Sequence, residues 1–154
     1  MLTVRALKIR ELPLLLRLFD YNNKVQMLAE NTRNIKSGKI DIFGLFRNGK
    51  LIGELHVKYE SADSREAVRG TRAYLFAFRI DTDLQGQGFG RLLLDSVIKQ
   101  LAAAGYKEFT VGVESDNTTA KHIYDTCGFT EFVARKKESY QSDVYTYNLL
   151  LKRI

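Results

Sequence analysis

Three glycines alternate in Gln85-Gly86-Gln87-Gly88-Phe89-Gly90-Arg91, between a strand-like run and a helix-like one. Glycine loses more backbone freedom on folding than any other residue, so three together need a reason. The first amides of a helix have no intrahelical acceptor, and the helix dipole places partial positive charge there. Glycines let a phosphate reach those amides directly. Gly86, Gly88 and Gly90 therefore read as a phosphate cradle, set against the plainer reading of a turn that requires positive φ. Two well-known cradles do not fit. A P-loop needs Gly-Lys-Ser/Thr where this chain has Gly90-Arg91-Leu92. The dinucleotide fingerprint is G-x-G-x-x-G on a repeating βαβ unit, whereas G-x-G-x-G here follows about the fourth strand.

Other residues could also do chemistry. Tyr124 shares a helical face with Ala120, Ile123 and Cys127, which is equally the place of a core tyrosine. Asn117 stands where a helix begins, and asparagine is among the best N-caps. His56 and His122 sit on faces with charged neighbours and read as surface histidines; no metal-ligand spacing accompanies them. Cys127 is the only cysteine. It reads as a small buried hydrophobe, excludes a disulfide framework and favours a reducing, cytoplasmic setting.

The elements that must position these residues follow from periodicity. TVRALKI is a strand, and Leu12, Leu15, Leu16 and Phe19 then mark an amphipathic helix with Pro13 in its first turn. KVQMLAENTRNIKSG is a second helix, closed by Gly38. IDIFGLF and KLIGELHVKYE are strands joined at Asn48-Gly49, a strong hairpin signal. In the second of them Leu51, Leu55, Val57 and Tyr59 face one way, and Glu54, His56, Lys58 and Glu60 face a solvated side. AYLFAFRI is a central strand with Tyr74, Phe76, Phe78 and Ile80 on one face. A helix follows the glycine stretch, with Leu94, Val97, Ile98 and Leu101 as its apolar stripe. KEFTVGVE is a strand, DNTTAKHIYDTCG a helix, and TEFVARK and VYTYNLLLKRI the closing strands. The order implies one mixed α/β domain over residues 1–154, its sheet covered by helices.

Composition sets outer limits. A chain of 154 residues buries about 70% of its unfolded surface, enough for a core without staples. No apolar run approaches the ~18 residues of a membrane span, and the amino terminus has no apolar signal core. The net charge of +6 lies wholly in the first half: residues 1–79 carry 15 basic and 8 acidic side chains, residues 80–154 carry 9 and 10. A basic surface suits nucleic acid, anionic cofactors or acidic substrates. The basic residues are scattered, without the aromatic interleaving of a base-stacking surface, which argues against nucleic acid.

Gln85-Gly86-Gln87-Gly88-Phe89-Gly90 also matches Q/R-x-x-G-x-G/A, and so resembles the acetyl-CoA pyrophosphate motif of the GNAT superfamily of N-acetyltransferases. Phe78-Arg79-Ile80 replaces the family's apolar-x-Val, and Thr82 stands where proline is common. Asn117-Thr118-Thr119-Ala120, Ile123-Tyr124 and Cys127-Gly128-Phe129 resemble its second block. The motif-bearing resemblance spans residues 74–132, and the order of elements over the whole chain agrees with it.

The resemblance implies a mostly antiparallel sheet of about seven strands with about four helices, splayed between strands four and five. It implies acetyl-CoA as cosubstrate and no metal. By the same resemblance, the backbone of Ile80 pairs with the pantetheine arm. The amides of Gln85, Gly86, Gln87, Gly88, Phe89, Gly90 and Arg91 hold the pyrophosphate, Asn117 approaches the thioester, and Tyr124 protonates the leaving thiolate. One departure matters. Where some members carry a carboxylate base on the fifth strand, this chain has Gly112, which leaves Glu114, Glu54 and Glu60 as alternatives. The acceptor is expected to be a small-molecule or peptide amine, shaped by DYNNKVQ and KKESYQSD, with a homodimer left open. A CoA-binding protein without catalysis, and a basic nucleic-acid module, stand as the competing functions.

Overall fold

In the computed structural model, which describes residues 1–140 and 143–154, seven strands form one sheet in the order β1-β2-β3-β4-β5-β7-β6. The strands are β1 (Leu2–Ala6), β2 (Ile40–Arg47), β3 (Lys50–Lys58), β4 (Arg72–Ile80), β5 (Glu108–Val113), β6 (Glu131–Tyr140) and β7 (Asp143–Arg153). Every neighbouring pair is antiparallel except β4 and β5. Three α-helices cover the sheet: α1 (Lys24–Lys36), α2 (Phe89–Ala103) and α3 (Thr118–Thr126). The order of elements is the one the sequence pattern implies.

Local chemistry explains most boundaries. Asn48 and Gly49 both have positive φ, 51° and 82°, as a two-residue turn between right-twisted strands requires. Asn23 caps α1 by accepting the Gln26 N–H at 2.9 Å. The apolar stripe of α2 (Leu93, Leu94, Val97, Ile98 and Leu101) is buried against one face of the sheet together with Leu55, Val57, Leu75 and Val111. Each such side chain contributes roughly 1.5–3 kcal/mol when removed from water. A second core on the other face joins Leu12, Leu15 and Met27 to Ile40, Ile42, Phe46 and Leu51.

Four expectations need correction. The first helix is a 3₁₀ helix, Ile9–Arg17, that buries Leu12 and Leu15, while Phe19 lies beyond it and is exposed. The β2–β3 register shifts at Leu45/Phe46, so Leu51 falls in the second core and Ile52 in the first. Leu51 therefore does not share the face of Leu55 and Val57. The opposite face of β3 is not solvated at Glu54 and His56, which are 0% and 4% exposed, whereas Lys58 is half-buried and Glu60, past the end of the strand, is exposed. Finally, much of KKESYQSD is strand, with β6 running to Tyr140 and Tyr140 paired with Asp143; Gln141 and Ser142 lie outside the described residues.

Candidate active site

Strand β4 contains the irregularity on which the site depends. Glu54 pairs with Arg79 and His56 with Phe76, so Ala77 and Phe78 together stand opposite Leu55. Ala77 adopts φ 49°, a left-handed conformation that costs about 1–3 kcal/mol in a residue other than glycine. Such a bulge turns the strand over. Phe76 keeps company with His56 and Tyr74, whereas Phe78 and Ile80 pack into the core under α2. The expected single face of Tyr74, Phe76, Phe78 and Ile80 is thus divided.

The bulge coincides with a parting of strands. Residues 72–75 of β4 pair with 108–111 of β5, and no pairing continues beyond Leu75 and Val111. The gap is a cavity of about 370 Å³, lined by Phe78, Gly112, Asn117, Tyr124 and Tyr147 among others. Asp81 N–H donates to Ile52 O at 2.8 Å. Strand geometry then turns the N–H and C=O of Ile80 away from β3, toward the gap. Gln85 Nε2 already donates to that carbonyl at 3.1 Å.

Beside the gap lies the glycine stretch, next to Phe78 of its lining. Gly86 and Gly88 have φ of 79° and 87°, and a Cβ on either would meet nothing within 4 Å. Gly90 is constrained differently: its Cβ would lie 3.3 Å from the Phe78 ring. The turn reading is seen directly in the positive φ of Gly86 and Gly88, and the same turn leaves open space over the helix end. The first backbone bond of α2 is Leu92 N–H to Gly88 O, so the amides of Phe89, Gly90 and Arg91 have no intrahelical acceptor. Gln87 is exposed, Arg91 pairs at the surface with Asp95 at 3.5 Å, and the Arg47 guanidinium sits over the Phe89 ring.

Tyr124 and Asn117 come together on the gap from α3. Asn117 Oδ1 accepts the Ala120 N–H at 3.1 Å, the cap its position suggested. Tyr124 is 6% exposed, between Phe78 and Phe129. Its hydroxyl has no hydrogen-bond partner among the described residues. No fully buried side-chain oxygen or nitrogen there lacks one, so this hydroxyl opens into the gap. Burial, with a smaller contribution from Cys127, pushes its phenol well above the usual range. His122 is exposed, and Cys127 is buried with its thiol pushed up by burial.

The β5 position of the missing carboxylate is filled by other side chains. A Cβ on Gly112 would lie 2.6 Å from the Tyr147 ring and 3.0 Å from the Tyr74 hydroxyl. Tyr147 in turn donates to Glu66 at 3.0 Å. Burial alone would raise Glu66, but hydrogen bonds from Lys136, Ser61 and Tyr147 outweigh it and hold the carboxylate below its ordinary value. Gly112→Glu is therefore expected to lose about 1–3 kcal/mol of stability by overpacking, read as a lowered Tm in thermal unfolding. An unchanged Tm would mean that the two tyrosines step aside.

Of the other carboxylates, Glu60 is held by Arg69, and Glu114 is exposed at the edge of the gap. Glu54 lies on the opposite side of the bulge, at a second cavity of about 300 Å³ lined by Phe19, Tyr21, Met27, His56, Phe76 and Arg79 among others. Tyr21 donates to Glu54 at 3.1 Å, Arg79 at 3.2 Å, and His56 Nε2 lies 2.7 Å away. The Arg79 guanidinium is also stacked 3.8 Å from the Phe19 ring. Burial, then the Glu54 charge, pushes the Tyr21 phenol well up. Phe76, Ala77 and Arg79 line both cavities, so the bulge is their common wall. Charged residues alternating with apolar ones suggested a wet face here; the covering groups come from distant segments that periodicity does not connect. Among the described residues, no group of three or more His, Cys, Asp or Glu is placed to hold a metal ion, and no helix is long and apolar enough to cross a membrane.

A seven-stranded sheet parted between two parallel strands, with a glycine turn and bare helix amides beside the parting, defines a distinct class of α/β protein. The chain belongs to the acetyltransferase (GNAT) family, whose profile matches residues 11–129. Over 64 residues, 42% of this chain and 44% of the relative, it is 38% identical to a ribosomal protein bS18-alanine N-acetyltransferase of Haemophilus ducreyi. Over 109 residues, 68% of this chain and 33% of the relative, it is 30% identical to a mycothiol acetyltransferase of Propionibacterium freudenreichii. The chain thus spans less than half the length of these relatives. Among solved structures, a ribosomal-protein-alanine N-acetyltransferase from Brucella melitensis superposes with a TM-score of 0.77 at 16% identity, covering 99% of each chain. A PaiA N-acetyltransferase from Thermoplasma acidophilum, in complex with coenzyme A, superposes at 0.69 and 18% identity over 100% of this chain and 99% of that one. These likenesses establish the fold.

Proposed function

We propose that this chain, as a single domain, transfers the acetyl group of acetyl-CoA to a primary amine by direct attack within a ternary complex. One observation carries the reading: the hydroxyl of buried Tyr124 opens unpartnered into the gap between β4 and β5, beside the glycine turn. In this reading the amides from Gln85 to Arg91 bind the pyrophosphate, and the second half's slightly acidic balance makes oriented amides rather than net charge the source of affinity. The pantetheine arm lies along the free edge of β4, where Ile80 offers its N–H while Gln85 occupies the carbonyl. Asn117 closes the gap beside the thioester. Tyr124 donates a proton to the departing sulfur, which otherwise leaves as an anion into an apolar wedge.

The acceptor is a small-molecule or peptide amine. The relative named for an alanine of a ribosomal protein supports a peptide terminus, and the one named for mycothiol supports a small molecule. Gly112, in place of a carboxylate, favours a second reading in which CoA binds without turnover; release of free thiol with a panel of amines separates the two. The first test is binding. A ligand at one hundred times its Kd adds about 2.7 kcal/mol, which raises Tm by roughly 5–10 °C for a chain of this size. Acetyl-CoA is expected to give such a shift, and none at millimolar concentration would rule out both readings.

A further inference from the structure

We propose that His56 is the base that takes the proton from the acceptor amine in the second cavity, with Glu54 as the residue that positions it. The inference rests on the acetyl-transfer reading. Three observations assign the role to His56 rather than to a carboxylate. Position 112 has no room for one, because the Tyr147 ring and the Tyr74 hydroxyl fill it. Glu54 is 0% exposed and accepts from Tyr21 and Arg79 beside the short contact with His56, so it is sealed from anything entering the cavity. His56 lines that cavity, and its only hydrogen bond among the described residues is the one from Nε2 to Glu54. Since no fully buried nitrogen there lacks a partner, Nδ1 opens to the cavity.

With Nε2–H donated to Glu54, Nδ1 bears the lone pair. An alkylammonium of pKa ~10.4 must lose a proton before it can attack. That proton passes to Nδ1, and Glu54 offsets the charge of the imidazolium that forms. The freed nitrogen lone pair makes the N–C bond, and the C–S bond breaks with its electrons going to sulfur. Two protons leave nitrogen in all. One ends on sulfur by way of Tyr124, and the other reaches solvent from His56. Phe76, Ala77 and Arg79 line both cavities, and the Phe76 ring lies 5.2 Å from that of His56, so the amine must reach the thioester past this shared wall. The titratable groups around the imidazole are Glu54 on its own strand, Arg79 on β4, the neutral phenol of Tyr21 ahead of α1, and Glu30 on α1. Arg79 and the imidazole share the Glu54 carboxylate, and Glu30 is the acidic side chain that lines the cavity for an incoming cationic amine.

The test has two arms on the full chain. The chain has two histidines, so long-range ¹⁵N–¹H spectra assign the His56 imidazole by comparison with His122→Gln. The expected result near neutral pH is the Nε2–H tautomer with Nδ1 bare; an Nδ1–H tautomer overturns the proposal. In the second arm, CoA release is followed with acetyl-CoA and an alanine-terminated tripeptide amide. His56→Gln is expected to lower kcat by roughly 10²–10³-fold at neutral pH with an unchanged KM for acetyl-CoA, and the loss should shrink as rising pH deprotonates the amine. Glu54→Gln should move the acid-side limb of kcat/KM to lower pH, because the imidazolium loses its counter-charge. Full activity in His56→Gln, or a loss equal at every pH, overturns the proposal. If wild-type protein binds acetyl-CoA but acetylates no amine, the transfer reading fails, while the tautomer spectrum judges the pair independently.

Discussion

Replacing Tyr124 with phenylalanine is expected to lower kcat by roughly 10²–10⁴-fold, the usual worth of a positioned general acid, without weakening acetyl-CoA binding. The ring stays where it is, between Phe78 and Phe129. The lost hydroxyl has no partner among the described residues, so its removal orphans no buried group, and stability should change by less than the ~1 kcal/mol of one hydrogen bond. The pH dependence follows from burial. Because burial raises the folded-state phenol above its ordinary value, the protonated donor persists through neutrality and well into the alkaline range. A free thiol titrates near ~8.5, so above that pH the expelled thiolate persists without a donor and the difference between the two proteins should narrow. CoA release measured for both across pH decides the matter. Full kcat in Tyr124→Phe at neutral pH would reduce Tyr124 to core packing.

The glycine stretch, the helix cap at Asn117 and the hairpin at Asn48-Gly49 were all legible because each is a local demand. A turn needs positive φ, a helix needs a cap, and these leave their mark within a few residues. The splay was legible only through resemblance, since nothing in the composition of β4 and β5 announces where pairing stops. The bulge was not legible at all. Its left-handed residue is Ala77, whereas the residues that advertise such a conformation are glycine and asparagine. The surrounding sheet holds Ala77 in place, and sequence reading of one strand has no access to that constraint.

The same limit hid half of the candidate site. Glu-Leu-His-Val reads as an alternating, half-solvated strand until Tyr21 and Arg79 arrive from other segments to cover the polar face. A buried, fully hydrogen-bonded carboxylate is a tertiary fact. Misreading Ile9–Arg17 had a milder cause. Leu12 and Leu15 are three apart, a spacing common to the α-helix and to the 3₁₀ helix, so the pattern located the buried face correctly without determining the pitch.

Gly88→Val is expected to abolish the thermal stabilisation by acetyl-CoA while leaving the protein folded. A Cβ at Gly88 meets nothing within 4 Å, so packing does not forbid the change. The penalty comes from φ 87°, an unfavourable conformation for a branched L-residue, worth about 1–3 kcal/mol against a typical total of 5–15. The valine methyls would stand in the open space over the bare amides of Phe89, Gly90 and Arg91, where the pyrophosphate must lie. Gly105 supplies the control: at the other end of α2 it has φ 105° and equally open surroundings, but no such row of amides. Gly105→Val should therefore lower Tm by a similar amount and still respond to acetyl-CoA. If both variants are folded by circular dichroism and both respond, the phosphate does not sit on this turn; if neither responds, strain rather than occupancy explains the loss.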